Sequence, residues 1–426
     1  MTKDKSYRAG PRRSRRGLTI VAAAAAGALA LAGCSSTTSN GSAAAEKTVA
    51  PSTSVSVSPK AVADTIKRTF LKDIPLDSLN PAVQRAMQTA AVSGTPATQA
   101  KLKECLSTNV CETGHGSLTI GFPNDNINPW RQTFRAELTA QAIASPEVSK
   151  IIYSLSPDVA GYLANFKSLI AQRPDVIVMD TIWGGAVLPV VQQAKAAGIV
   201  VVQVETPVPD AVAKAVDVYA PADLCGAYTD GAKQVAELVG KPGTYGLYTG
   251  IPGNASAAAW QPCLNKGLTG AGWKKSIEGF TQWTPQGMAQ AGNSLFASGK
   301  NPDAVAYDYT LEYFAAPYLK AKRTPPILMS DVVNYAYLKQ VQDAQDAGTK
   351  VTAFFANSRV WYGRIGVTAG IMKRQGQKVD HDVSIPYPMV NINDVLPLYD
   401  PAMPANAPVP TLFTPDQESA VLAEGS

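Results

Sequence analysis

Short runs of β-branched residues recur along this chain, each separated from the next by a longer amphipathic stretch, and this alternation leaves few folds open. Val176-Ile177-Val178-Met179 and most of 199–204 are apolar at consecutive positions. Such runs suit strands buried on both faces, as in a parallel sheet covered by helices. The order from Ser117 is a strand at 118–122, a helix at about 130–144, a strand at 150–155, a helix at 162–172, the run at 176–179, a helix at 188–197 closed by Gly198, and the run at 199–204. After a strand near 216–219 the alternation restarts and runs to a helix at 361–374. Two successive sets predict an α/β chain of two doubly wound parallel-sheet lobes.

The segment before the lobes has another character. Seven Lys and Arg residues and one acid fall within 1–33, a charge of +6 against +5 for the whole chain, so the remainder sits near −1. A near-neutral body offers no electrostatic footprint for nucleic acid. The basic start, an apolar stretch at 18–32 that is short for a membrane span, and Leu31-Ala32-Gly33-Cys34 follow the lipobox pattern of bacterial lipoproteins. Residues 1–33 are therefore expected to be a signal peptide and Cys34 the lipidated residue, anchoring an extracytoplasmic protein to the membrane. Ser14-Arg15-Arg16 is compatible with twin-arginine as well as general export.

Residues 34–59, rich in Ser, Thr and Ala, are expected to be a flexible tether, and 60–116 a helical appendage. Lobe 1 is predicted at 117–220 and 358–383, and lobe 2 at 221–357 and 384–395. A Pro-rich tail at 396–426 is left open between wrapping a surface and staying mobile. Cys105, Cys111, Cys225 and Cys263 form an even set in an oxidising compartment. Of three pairings, Cys105–Cys111 closes a short loop and Cys225–Cys263 joins adjacent elements, which favours them; buried free thiols are the other reading.

Several stretches carry a resemblance. Asn128-Pro129-Trp130 follows the first strand, Arg173-Pro174-Asp175 leads into the third, and Ala197-Gly198-Ile199 leads into the fourth. Gly250 begins a Gly-rich turn, and Asn357 precedes Gly363 and Gly366. In this order they resemble the type I periplasmic binding proteins, the ribose- and galactose-binding group, over about two-thirds of the chain. The resemblance implies a three-strand hinge with crossings near 219–221, 357–358 and 383–384. It also implies a monomer that takes a small-molecule ligand between its lobes and docks on an ABC permease. A sensor of the same fold is the alternative. The related DNA-binding repressors begin with a helix-turn-helix; this chain carries the lipobox pattern there instead, so that branch is not expected.

Ligands of such sheets bind at the carboxyl ends of strands. Those ends supply Asp125, Asn128, Trp130, Asp180, Trp183 and Glu205 in lobe 1. Lobe 2 and the hinge supply Asn254, Asp308, Tyr309, Asp331 and Asn357. Aromatic faces and carboxylates suit a sugar or polyol. Glu205-Thr206 stands where the sugar binders have Asp-Arg, and Trp260-Gln261-Pro262 where they have an Arg, so two guanidinium groups are expected to be missing. A cationic or flat aromatic ligand held by cation–π contact fits the same set. No nucleophile elbow, metal-ligand spacing or catalytic His setting occurs, so no enzyme, cofactor or metal is expected.

Overall fold

The computed structural model describes residues 57–424; the signal segment, Cys34 and most of the tether lie outside the described residues. Two six-stranded sheets form the body. The first contains β1 (Val110–Glu112), β2 (Leu118–Asn124), β3 (Val148–Leu155), β4 (Val176–Met179), β5 (Val200–Glu205) and β6 (Val218–Pro221). Its spatial order is β1-β3-β2-β4-β5-β6, parallel except for β1. The second contains β7 (Thr244–Thr249), β8 (Lys274–Phe280), β9 (Ala304–Tyr307), β10 (Ile327–Ser330), β11 (Ala353–Ala356) and β12 (Met389–Asn391). Its order is β12-β11-β10-β9-β7-β8, with β12 antiparallel at the edge.

The apolar runs at β4, β9 and β11 are buried at every position, because helices cover both faces of each sheet. One cover is the helix Tyr362–Arg374, buried along nearly its whole length. A Cβ on Gly366 would stand 2.6 Å from Val178, and one on Gly370 2.4 Å from Val176. These glycines let the helix backbone lie directly on β4 and β5. Gly363 does the same against Leu138 on the other side.

The chain passes from β6 into the second lobe, returns after β11, and crosses again near Val383. There Tyr219 N–H donates to His381 O at 2.7 Å and Val383 N–H to Tyr219 O at 2.8 Å. The segment expected to be an all-helical appendage holds helices Pro59–Phe70, Pro81–Ala90 and Pro96–Leu106, but it ends in β1, a strand of the first sheet. Its apolar residues share the lobe's core; Phe70 meets Trp361 edge-on at 4.9 Å. Disulfides join Cys105 to Cys111 and Cys225 to Cys263.

The stretch after 396 is a packed layer. Val409 N–H donates to Val333 O at 2.9 Å, on the second lobe, and Ser358 N–H donates to Val409 O at 3.2 Å, at the hinge. The chain then reaches the first lobe, where Leu412 N–H donates to the Glu137 carboxylate at 2.8 Å. The helix Pro415–Ala423, opened by a Thr414–Gln417 capping box, packs there. Its Glu418 accepts from Thr133 and Thr411. Beside it Arg364 pairs with Glu137 and donates to Ser93 at 3.1 Å and Gln141 at 3.3 Å. This buried network ties the tail to the helices Pro129–Ala144 and Tyr362–Arg374.

Candidate functional site

The cleft is built around two buried arginines. Asn128 caps the helix Pro129–Ala144, accepting from Arg131 N–H at 2.9 Å, and Pro129 fits its first position. That turn aims Trp130 and Arg131 into the cleft. Arg131 pairs with Asp125 at 3.0 Å and with Asp180, from the ends of β2 and β4. The acids are themselves fixed: Asp125 accepts from Ile182 N–H at 2.9 Å, and Asp180 from Thr206 N–H at 3.1 Å.

Arg359 stands in the hinge after β11. Its guanidinium pairs with Glu205 of the first lobe and at 2.5 Å with Asp331 of the second, and it donates to the Tyr387 hydroxyl at 2.6 Å. Glu205 and Arg359 have φ of 62° and 60°, a backbone region costly for residues with a Cβ.

The second lobe contributes Asp308 at the end of β9. It accepts from Thr249 Oγ1 at 2.5 Å, Trp283 Nε1 at 3.0 Å and Trp260 Nε1 at 3.3 Å. Trp283 reaches it through two consecutive positive φ values, 54° at Gln282 and 51° at Trp283. Its ring lies so close to Gly250 that a Cβ there would stand 1.9 Å from it. The lobes meet around these groups: Trp130 Nε1 donates to Ser358 O, and Ala255 N–H approaches Ile182 O at 3.5 Å.

The cavity between the lobes is open on one side, with about 60 Å³ accessible to a molecule the size of water. Asp125, Asn128, Trp130, Glu205, Asp308 and Tyr309 line it. Asp180 and Asp331 are buried but hold the arginines without lining the cavity. Asn254 caps the helix Ala255–Gly270 and donates to Thr249, outside the lining. Trp183 lies at the turn Gly184–Val187, and Asn357 is buried two residues before Arg359; neither lines the cavity.

The two positions read in the sequence hold no guanidinium, but Arg131 and Arg359 line the cavity from elsewhere in the chain. Trp283 was missed too. Arg131 follows Trp130 directly and Arg359 lies two residues after Asn357, so adjacency could have found them; Trp283 carries no comparable signal.

Burial drives the titration of these acids. It raises Asp308 to about 7, with the Asp331 charge adding to the rise. It raises Asp125 to about 6, against the pull of Arg131. Glu205 and Asp331 are also raised by burial, with Arg359 opposing. Burial alone would lower the arginines, but the surrounding carboxylates outweigh it and raise both. Such a wall presents fixed donors and acceptors side by side.

The sequence profile described as periplasmic binding protein domain matches residues 120–378. The chain belongs to that family. Its two-lobed architecture is the type I periplasmic-binding-protein fold. Among solved structures it is similar to an ABC transporter solute binding protein from Bacillus halodurans C-125 with bound myo-inositol. The TM-score is 0.58 at 16% identity, over 67% of this chain and 97% of the other. A periplasmic binding component of the arabinose ABC transporter from Shewanella sp. ANA-3, bound to L-arabinofuranose, gives a TM-score of 0.58 at 16% identity, over 66% and 94%. A Mycobacterium smegmatis protein in complex with β-D-fucofuranose gives 0.55 at 17%, over 66% and 94%. At these identities the likeness is one of fold. No curated protein matches the sequence. Periplasmic binding proteins are extracytoplasmic solute binders. Among the described residues of this binding protein, no helix is long and apolar enough to cross a membrane.

Proposed function

We propose that this binding protein is a lipoprotein, anchored through Cys34, that captures a small sugar or polyol between its lobes and delivers it to an ABC importer. The observation that carries the reading is the pair of guanidinium–carboxylate units facing one small cavity, flanked by Trp130 and Trp283. Ring hydroxyls can accept from the arginines and donate to the acids, and each well-buried bond to a charged group contributes ~1.5–3 kcal/mol. The indole faces can exclude water from C–H surface. Each arginine is already paired with two carboxylates, so the cavity offers neutralised donors and acceptors side by side, which suits hydroxyls. The relatives with bound inositol, arabinofuranose and fucofuranose support the same chemistry. Binding, not catalysis, is the role proposed for these groups.

The test is a thermal-shift screen of the purified protein against sugars, polyols, nucleosides and quaternary amines, followed by calorimetry. A ligand that binds only the folded state raises the midpoint by mass action. A shift with a sugar or polyol, lost in Arg359→Ala, is expected. A response confined to nucleosides or quaternary amines would overturn the sugar assignment.

A further inference from the structure

Beside the cleft lies a larger cavity, about 320 Å³, at the carboxyl ends of β2 and β3. It shares Asn126 and Arg131 with the cleft cavity, so the two lie side by side. Resting on the sugar reading above, we propose that it is a second subsite, which takes the neutral, hydroxyl-bearing second ring of a glycoside whose first ring sits in the cleft.

The wall is mixed and stiff, with Leu106, Leu155 and Val421 beside a set of ordered polar groups. Arg135 donates to Thr108 O at 2.8 Å, inside the loop closed by the Cys105–Cys111 disulfide, and its guanidinium lies 3.7 Å from the centre of the Tyr153 ring. The Tyr153 hydroxyl accepts from Asn124 Nδ2 at 3.0 Å, and Asn124 Oδ1 accepts from Asp125 N–H at 2.9 Å. Asn109, Asn126 and Gln132 add amides, which both donate and accept and so match adjacent hydroxyls. Charge is balanced: Arg135 faces Glu424 of the tail, and Arg131 is held by Asp125 and Asp180. Neither a phosphate nor an ammonium group is favoured by such a wall. With Arg135 covering the Tyr153 ring, a flat apolar substituent has no stacking platform there, whereas exposed Ile127 at the rim offers C–H contact.

The test is calorimetry on the full chain with matched probes: galactose against melibiose and lactose, glucose against maltose and trehalose, and myo-inositol against galactinol. At least one disaccharide or glycoside is expected to bind tenfold or more tightly than its component ring. Gln132→Trp, which fills the outer cavity, should erase that gain and leave the single ring's Kd within twofold. Asn109→Ala, at an exposed position that leaves the fold intact, should reduce the gain severalfold. A single ring that binds as well as every longer probe overturns the subsite and leaves the sugar reading standing. A gain that survives Gln132→Trp also overturns the subsite. Failure of all saccharides to bind overturns both.

Discussion

Glu205 and Arg359, one ending a strand of the first lobe and the other in the hinge, form a buried ion pair with both backbones held at positive φ. Arg359 also holds Asp331 of the second lobe. One guanidinium thus joins both lobes at the cavity wall, and the backbone strain on both partners marks a geometry the surrounding fold enforces.

Arg359→Ala should therefore cost more than binding. It leaves Glu205 and Asp331 buried without their cation, and removing one partner of such a pair costs about 3–5 kcal/mol. Urea unfolding should show that loss, and calorimetry should show no ligand binding. Arg359→Lys should retain part of the stability and still bind poorly, because an ammonium cannot make the forked contacts.

Trp130→Phe separates the indole's two roles. Phe can keep the stacking on Phe134, whose ring centre lies 5.3 Å away, but loses the Nε1 bond to Ser358 O. Unfolding free energy should fall by about 1 kcal/mol, the usual net value of one hydrogen bond. Ligand affinity should fall by tenfold or more, and Trp130→Ala should abolish the thermal shift.

The pH dependence of ligand-free stability has a defined sign. Burial raises the Asp308 carboxyl to about 7 in the folded state, against 3.8 for an exposed aspartate. Between those values the folded state keeps a proton that the unfolded chain has released, so this group makes stability fall as pH rises through the window. Above about 7 and below 3.8 its contribution is flat. Asp125 and Glu418, raised to about 6 and about 7, act in the same direction. Thermal midpoints of Asp308→Asn should fall less steeply across this range than those of the parent protein, and an equal slope would show that Asp308 is not the source.

The Glu137–Arg364 pair lies away from the cleft and tests the tail instead. Arg364→Met should destabilise by about 3–5 kcal/mol by stranding Glu137. Adding Glu137→Gln should recover part of that loss, since the stranded charge is gone. Limited proteolysis of Arg364→Met should cut within the tail first, because Leu412 depends on Glu137 for its backbone partner.

Much of the architecture was legible because burial leaves its mark on short segments. Val176–Met179 and Val200–Glu205 read as doubly covered strands from their own residues. Asp125, Trp130 and Asp308 could be picked out because strand ends are where such folds gather polar groups. The tail helix was hidden for a physical reason: its buried face includes Glu418, which breaks the apolar period a helix needs to be recognised. The strand at Val110–Glu112 is three residues long and depends on a partner some forty positions later.

The sequence by itself determined the alternation of strands and helices, and with it a two-lobed fold with polar groups at one end of each sheet. Only the tertiary structure decided what those groups do. Arg131 could be assigned only once β2 and β4 brought Asp125 and Asp180 to it, and Arg359 only once Glu205 and Asp331 arrived from different lobes. Apolar periodicity is a local property of the chain, whereas the role of a buried charge is set by partners that folding delivers from far away.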